Sequence, residues 1–393
     1  MRLSDIAIYV EESIRSCDIT LEEYVTTDSL LQNREGRKIA SNLPPTPCNL
    51  VKYEKDDILI ANIRPYLRKI WLADSSGGCS NDVLVFRAKN NISPYYLYAT
   101  LLQDTFFDYV MLAPKGSKMP RGDQEHIMRF PINQLGIEKE RKVGTFIKTI
   151  NDQLDNLRKQ NELLERLSKS MFDYWFVQFD FPNENNKPYK STGGMMYYNN
   201  ELKREIPVGW ECVPLINIAN ITMGQSPDGT SYNTCGNGSI FYQGSTDFGL
   251  RSPKVRQFTT SPSRFAKRGD ILMSVRAPVG ATNIASHDCC IGRGLAALNS
   301  KLGSMTHLYE LISYFRVQFE RKNADGTTFG SITKPELFNL PSLKPKQDVL
   351  DLFEKQCGPI FNKLLLLGDR MEELEKLRSY MLPLVITGQV SLK

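Results

Sequence analysis

The chain says nearly the same thing twice, and this repetition constrains its architecture more than any other feature. From Asp57 to Phe86 it reads DILIANIRPYLRKIWLADSSGGCSNDVLVF, and from Gly269 to Ala297 it reads GDILMSVRAPVGATNIASHDCCIGRGLAA. Both stretches open with Asp-Ile-Leu and an apolar run, reach an Arg and a Pro, and cross a polar stretch to a Cys before turning apolar again. A shift of 210 residues lays Gly116 on Gly326, Pro131 on Pro341, Leu154 on Leu364, Leu164 on Leu374 and Met171 on Met381. Over 143–171 against 353–381, eight of 29 positions are identical, and most of these are apolar. A shift of 212 matches Leu3 and Ile6 to Leu215 and Ile218. A period of roughly 200 residues is far too long for a solenoid. The 393 residues therefore read as a tandem duplication of one large unit, with enough chain for separate cores.

Each copy has two parts. The first is mixed, with short apolar and β-branched runs such as DVLVF and DILMSV separated by Gly, Pro, Asn and Ser turns. The second is helical. Ile147, Ile150, Leu154, Leu157, Asn161, Leu164, Ser168 and Met171 recur at spacings of three and four, and so do Cys357, Ile360, Leu364, Leu367, Met371, Leu374, Arg378 and Met381. These are heptad a and d positions, flanked by the helix-supporting pairs Glu162–Arg166, Glu165–Lys169 and Glu372–Lys376. A first helix from about Lys139 to Phe176 would span on the order of 55 Å. The expected fold is α+β: two mixed α/β modules separated by two long antiparallel coiled-coil helices, related by a pseudo-two-fold internal duplication. The segments are a module at 1–135, a spacer helix at 136–180, a linker at 181–210, a second module at 211–343 and a second spacer helix at 344–393. The plainer alternative makes the leucines core stripes of a helical hairpin inside one domain. Gly358-Pro359 should break or kink the second helix near its start.

The net charge of +5 implies no partner by itself, but its distribution is uneven. Seven Arg and Lys but one acid, Asp270, lie between Arg251 and Arg276, and Arg64, Arg68 and Lys69 have no acid neighbour from Ile63 to Leu72. Clustered positive charge suits a phosphate backbone; a solvated face with chance asymmetry is the other reading. The N-terminus lacks the apolar core of a signal peptide, no run approaches membrane-spanning length, and the eight cysteines form neither a disulfide framework nor a zinc spacing. The expectation is a cytoplasmic protein with reduced thiols and no membrane partner.

Catalytic constellations are missing. His126, His287 and His307 form no H-E-x-x-H, and there is no phosphate-binding P-loop, G-x-G-x-x-G or G-x-S-x-G. Ser331-Ile-Thr-Lys334 fits S-x-x-K but lacks its partner motifs. Glu201-Leu-Lys203 lacks the preceding Pro-Asp of a nuclease metal motif, and no N/D-P-P-Y/F of amino-methyltransferases occurs. A duplicated catalyst should repeat its catalytic groups, whereas the features repeated here are apolar residues, Gly and Pro. The chain is expected to do no chemistry and to hold no metal or cofactor.

What differs between the copies is loop content: MGQSPDGTSYNTCGNGSIFYQGSTDFG in the second, PYLRKIWLADSSGG and APKGSKMPRGDQEH in the first. Gln and Asn pair with adenine in the major groove, Arg with guanine, and Lys with phosphates. A shared scaffold with divergent polar loops suits two readers of two short sequences. At FYQGSTDFG (241–249), GDILMSVRAPVGATNIA (269–285), CIGRGLAAL (290–298), SKSMFDYWFVQFDF (168–181) and LEKLRSYMLPLVITGQV (374–390), the chain resembles the DNA-specificity subunit of type I restriction–modification systems over essentially its whole length.

The resemblance implies a non-catalytic, sequence-specific subunit whose two target-recognition modules read the halves of a bipartite double-stranded DNA target, with the helices setting the unread gap. It implies two methyltransferase subunits, which bind S-adenosylmethionine, and two ATP- and Mg-dependent restriction/translocase subunits as partners. Within that frame the expected DNA contacts are Arg64, Tyr66, Arg68, Lys69, Lys115, Lys118 and Arg121 in the first module. In the second they are Gln225, Gln243, Arg251, Lys254, Arg276, Arg293 and Thr328, with Arg276 and Arg293 equally open to structural ion pairing. In the aromatic cluster Phe172, Tyr174, Trp175 and Phe176, the candidates for partner docking are Tyr174 and Phe176; capping of the helix core is the alternative. The first copy has IRPYLRKIW where the second has VRAPVGATN, so its loops need not read alike. The rival readings are a self-sufficient modification or restriction enzyme and a non-DNA protein scaffold.

Overall fold

The computed structural model describes residues 1–116, 119–324 and 330–392, with backbone alone at 318 and 320–324. The chain divides into two compact units, Met1–Arg158 with Glu372–Lys393, and Lys159–Met371.

In the first unit, a four-stranded antiparallel sheet runs in the order Ala7–Tyr9, Val83–Ala88, Ile58–Ala61, Ile70–Leu72. Ile58–Ala61 is buried along its whole length, which explains why it reads as an unbroken apolar run. Its alternate residues serve two cores. Ile58 and Ile60 face the cluster that includes Leu97, Phe106 and Phe107 of the helices Pro94–Leu101 and Asp104–Val110. Leu59 and Ala61 join Tyr53, Trp71 and Cys79 on the other side, as the period of two along a strand requires. A second sheet orders Ser13–Arg15, Asn49–Tyr53, Gly77–Cys79 and Tyr24–Val25, the last pair parallel.

The helix Ile137–Phe172 enters this unit's core through Val143 and Ile147, and Ile150 and Leu154 are buried further along it. A Cβ at Gly144 would lie 2.5 Å from the Tyr96 nitrogen, so glycine lets the helix rest on the backbone of Tyr95 and Tyr96. That close seating outweighs the cost of about 1 kcal/mol for Gly inside a helix. Leu382, Val385 and Ile386 of the last helix, Gln347–Ile386, complete the same core. Arg378 donates to Asn151 at 2.6 Å and Arg158 to Glu375 at 3.3 Å, so within this unit the two helical segments run antiparallel.

The second unit carries a sheet of the same order and sense: Ala219–Met223, Leu295–Ser300, Ile271–Ser274, Thr282–Ile284. Each strand begins 212 or 213 residues after its counterpart. Ile271 and Met273 face the core containing Leu308, Ile312 and Phe315 of the helix Met305–Ala324, while Leu272 joins Tyr242 and Ile291. The copies diverge in the second sheet, which here has five strands, with Ser239–Tyr242 parallel to Cys289–Ile291.

Two expectations are corrected. The segment 181–210 is folded rather than a bare linker: Met196–Asn199 and Arg204–Pro207 form a hairpin, and Phe181, Ile206 and Trp210 are buried in the unit's main core. A few large side chains without periodicity are invisible to a pattern search yet bury substantial area. Nor does Gly358-Pro359 interrupt the last helix, which is continuous over Gln347–Ile386. Pro359 lies on the exposed face, while Phe353, Cys357 and Phe361 anchor the buried face.

Candidate nucleic-acid interface

In the second unit three loops are knitted together at one end of the sheet. Gly224 and Gln225 donate backbone N–H groups to Leu295 and Ile291, Gly292 to Tyr242, and Gly294 to Gln243. The approach is close enough to demand glycine. A Cβ at Gly294 would meet the Gln243 carbonyl at 2.7 Å, and one at Gly224 the Gly292 carbonyl at 2.2 Å. Ser226 ties the set together: its hydroxyl accepts from Gln243 Nε2 at 2.8 Å and from the Arg293 backbone N–H at 3.2 Å. Gln225 and Arg293 point to solvent beside this knot.

Arg276 follows the strand Ile271–Ser274 and bridges to Ser331. With Arg293 and Lys334 it lines a cleft of about 370 Å³ whose apolar surface is supplied by Met223, Val275 and Ile332. Among the described residues neither Arg276 nor Arg293 has an ion-pair partner. The tertiary structure thus brings Gln225, Gln243, Arg276 and Arg293 together from positions up to 68 residues apart. Lys254 is exposed, and Thr328 lies outside the described residues. Lys334 is a site residue that the sequence reading used only in a dismissed motif. The signal for it was the capping box begun by Thr333 and Glu336, which fixes the start of the short helix that carries it; its ammonium lies 5.1 Å from the Phe338 ring centroid.

The first unit repeats the arrangement with other residues. Arg64, exposed, follows Ile58–Ala61; its N–H donates to Pro120 at 2.8 Å, and Ile63 bridges to Arg121. Arg121 and Lys115 pair across the hairpin formed by Pro114–Lys115 and Arg121–Gly122. Both are exposed cations, bound to Asp82 at 2.9 Å and Asp123 at 2.6 Å. Tyr66, two residues after Arg64, is exposed. Lys118 lies outside the described residues.

Several sequence candidates are committed elsewhere. Arg68 binds Asp104 at 2.5 Å and reaches toward Asp108. The Lys69 ammonium donates to the Thr27 carbonyl, and burial lowers its pKa. Gln243 spends its amide on Ser226. Arg251 is corrected outright. It is 2% exposed, faces Glu165 at 3.4 Å and lies 4.1 Å from the Tyr309 ring centroid, so it braces the interior. Phe176 is also corrected as a docking residue: it is 4% exposed, 4.6 Å from His307 and 4.9 Å from Phe353. Tyr174, one turn of the same segment, remains exposed.

Near Arg251, burial pushes the Glu310 carboxyl up to about 7, moderated by Ser168, which donates to it at 2.6 Å, and by Arg251 and Lys169; Glu165 adds to the rise. Between the ordinary value of 4.5 and about 7, the folded chain keeps a proton that the unfolded chain releases, so this group's contribution to stability declines as pH rises through that window. Glu310→Gln is expected to melt about 2–4 °C higher than the parent at pH 8 and to equal it at pH 4. His307, which burial drives down to about 3, is neutral in both states at pH 8 and leaves that comparison clean. Melting curves at the two pH values check this, and a variant less stable at pH 8 would refute it.

Fold and site define a two-unit α/β protein presenting a basic loop cluster on each unit. No family model matches the chain. Among known proteins, it is 30% identical over 320 residues to the type I restriction enzyme MjaX specificity subunit of Methanocaldococcus jannaschii, covering 80% of this chain and 72% of that protein. It is 23% identical over 362 residues to the MjaIX specificity subunit of the same organism, covering 87% and 79%. In fold it is similar to the crystal structure of the type I restriction–modification system S subunit from M. genitalium, with a TM-score of 0.60, 13% identity and coverage of 98% and 95%. The chain belongs to the family of type I restriction enzyme specificity subunits.

Proposed function

We propose that this chain is the non-catalytic DNA-reading subunit of a type I restriction–modification complex, with the module at 1–135 reading one half of a bipartite target and that at 211–343 the other. In this reading the chain arose by tandem duplication. Its helices at 136–180 and 344–393 pack as an antiparallel coiled-coil spacer that sets the unread gap. The observation that carries it is the common four-strand order, offset by 212 or 213 residues, with Arg64 and Arg276 on the corresponding turn of each copy. Half-site separation then follows from protein geometry. The expected partners are two methyltransferase subunits, which supply S-adenosylmethionine, and two restriction/translocase subunits, which use ATP and Mg. The chain itself takes no cofactor, and exposed Tyr174 is the remaining candidate for partner docking. No described helix is long and apolar enough to cross a membrane, and the cytoplasm, where the DNA is, is the expected location.

The test is a genome-wide map of adenine methylation in cells carrying this gene and its methyltransferase partner, against cells lacking this gene alone. A split motif that disappears with the gene is expected, and exchange of residues 1–135 should change one half only. An unchanged map, with partner expression verified, would overturn the reading in favour of a scaffold for other proteins.

A further inference from the structure

The two modules share one exposed arginine and differ in another, and the difference separates backbone contact from base reading. Arg64 and Arg276 occupy the same turn after the same strand, each tied to a neighbouring segment: the Arg64 N–H donates to Pro120, and the N–H of Ala277, next to Arg276, donates to Gly330. Phosphates are identical at every half-site, so a residue common to both modules suits them. The connection between Cys289–Ile291 and Leu295–Ser300 is Gly292-Arg293-Gly294; its counterpart between Gly77–Cys79 and Val83–Ala88 is Ser80-Asn81-Asp82. At Arg293 the first module therefore carries uncharged Asn81 beside an acid. A phosphate contact would have no reason to lose its charge there, whereas a reader of a different base would.

We infer that Arg293 is a specificity-determining residue that reads a guanine in the second half of the target, its guanidinium fork matching the O6 and N7 acceptors on the major-groove edge, while Arg276 holds a phosphate. The inference rests on the DNA-reading function proposed above. Three features of the site suit a base rather than a phosphate. The Arg293 backbone is held by Ser226, and both flanking glycines are pinned to Tyr242 and Gln243, so the fork starts from a fixed base. The cleft it shares with Arg276 includes the buried apolar residues Val275 and Ile332, which accommodate a base edge better than a hydrated phosphate. Gln243, a rival reader, is engaged by Ser226, whereas Arg293 is exposed and has no ion-pair partner among the described residues; exposed Gln225 lacks the two parallel donors of a guanidinium. Among the base edges of the major groove, a forked donor finds two acceptors side by side only on guanine.

The experiment maps methylation in cells carrying the partner methyltransferase with the parent chain, Arg293→Ala, Arg293→Lys or Arg276→Ala. The parent motif is expected to contain a G·C pair in its second half. Both Arg293 variants should keep the first half and the gap but lose about 10–100-fold of the preference at that one position. Lysine keeps the charge but not the fork, so it should not rescue. Arg276→Ala should weaken methylation at all sites alike without altering the motif. A second half without any G·C pair, or a uniform loss with an intact motif in Arg293→Ala, would overturn the assignment. If an Arg293 variant methylates nothing, the salt dependence of DNA binding by the assembled complex decides. An unchanged slope supports base reading, and a slope reduced by about one identifies a phosphate contact. A map that does not depend on this gene at all would instead refute the DNA-reading function.

Discussion

Trp210→Ala should destabilise the second unit by about 3–5 kcal/mol, the largest effect expected of any single substitution here. Trp210 is 1% exposed. Its ring stacks on Phe181 at 5.0 Å and meets Phe179 edge-on at 5.6 Å, with Phe176 at 5.8 Å. Removing it opens a cavity among three rings that are themselves pinned: Phe181 is stacked on Tyr189, and Phe179 carries the Arg204 guanidinium at 4.4 Å. Such a site collapses poorly, which puts the cost at the high end for aromatic truncation. Urea unfolding followed by fluorescence measures it, with Trp175 reporting on the same unit and Trp71 on the other. Tyr198→Ala, in the same segment but 59% exposed, should stay within about 0.5 kcal/mol of the parent. Equal effects of the two substitutions would mean that 181–210 is not packed as described.

Arg87→Ala should cost about 3 kcal/mol in the first unit. Its guanidinium binds Asp57 through two nitrogens, each at 2.8 Å, and the Glu54 backbone N–H completes the carboxylate's shell. Asp57 is 2% exposed, so loss of the arginine leaves a buried charge with one remaining donor. The paired change Arg87→Ala with Asp57→Asn should recover part of the loss, because the amide needs no counter-charge. The second unit supplies an internal comparison. There the corresponding Asp270 accepts from Asn299 at 2.8 Å and from the Lys267 N–H at 2.8 Å. Asn299→Ala should therefore cost about 1 kcal/mol. Denaturant midpoints of the three variants test the set, and an Arg87→Ala protein as stable as its parent would rule out a buried ion pair.

The two units also show why some features were legible in the sequence and others not. The repeated Asp-Ile-Leu motif is visible in the chain because strand residues alternate between two cores, Ile58 and Ile60 in one and Leu59 in the other. The heptad set was equally plain, and Ile147, Leu154, Asn161, Leu364 and Leu374 are all buried. Continuity of the helix through Pro359 was not, because whether a proline breaks a helix depends on which face it occupies, and that is decided by what packs on the other side.

By itself the amino-acid sequence determined the repeated stretches, the mixed α/β character, the heptad pattern and the family, because these depend on periodicity and local order along one chain. Only the tertiary structure decided which cations are spent on ion pairs and which are exposed without one among the described residues. Arg251 finds Glu165 across 86 residues, Arg68 finds Asp104, and Arg276 and Arg293 line one cleft with Lys334. A charged side chain is available or spent according to its partner in space, and the contacts that choose the partner are long-range.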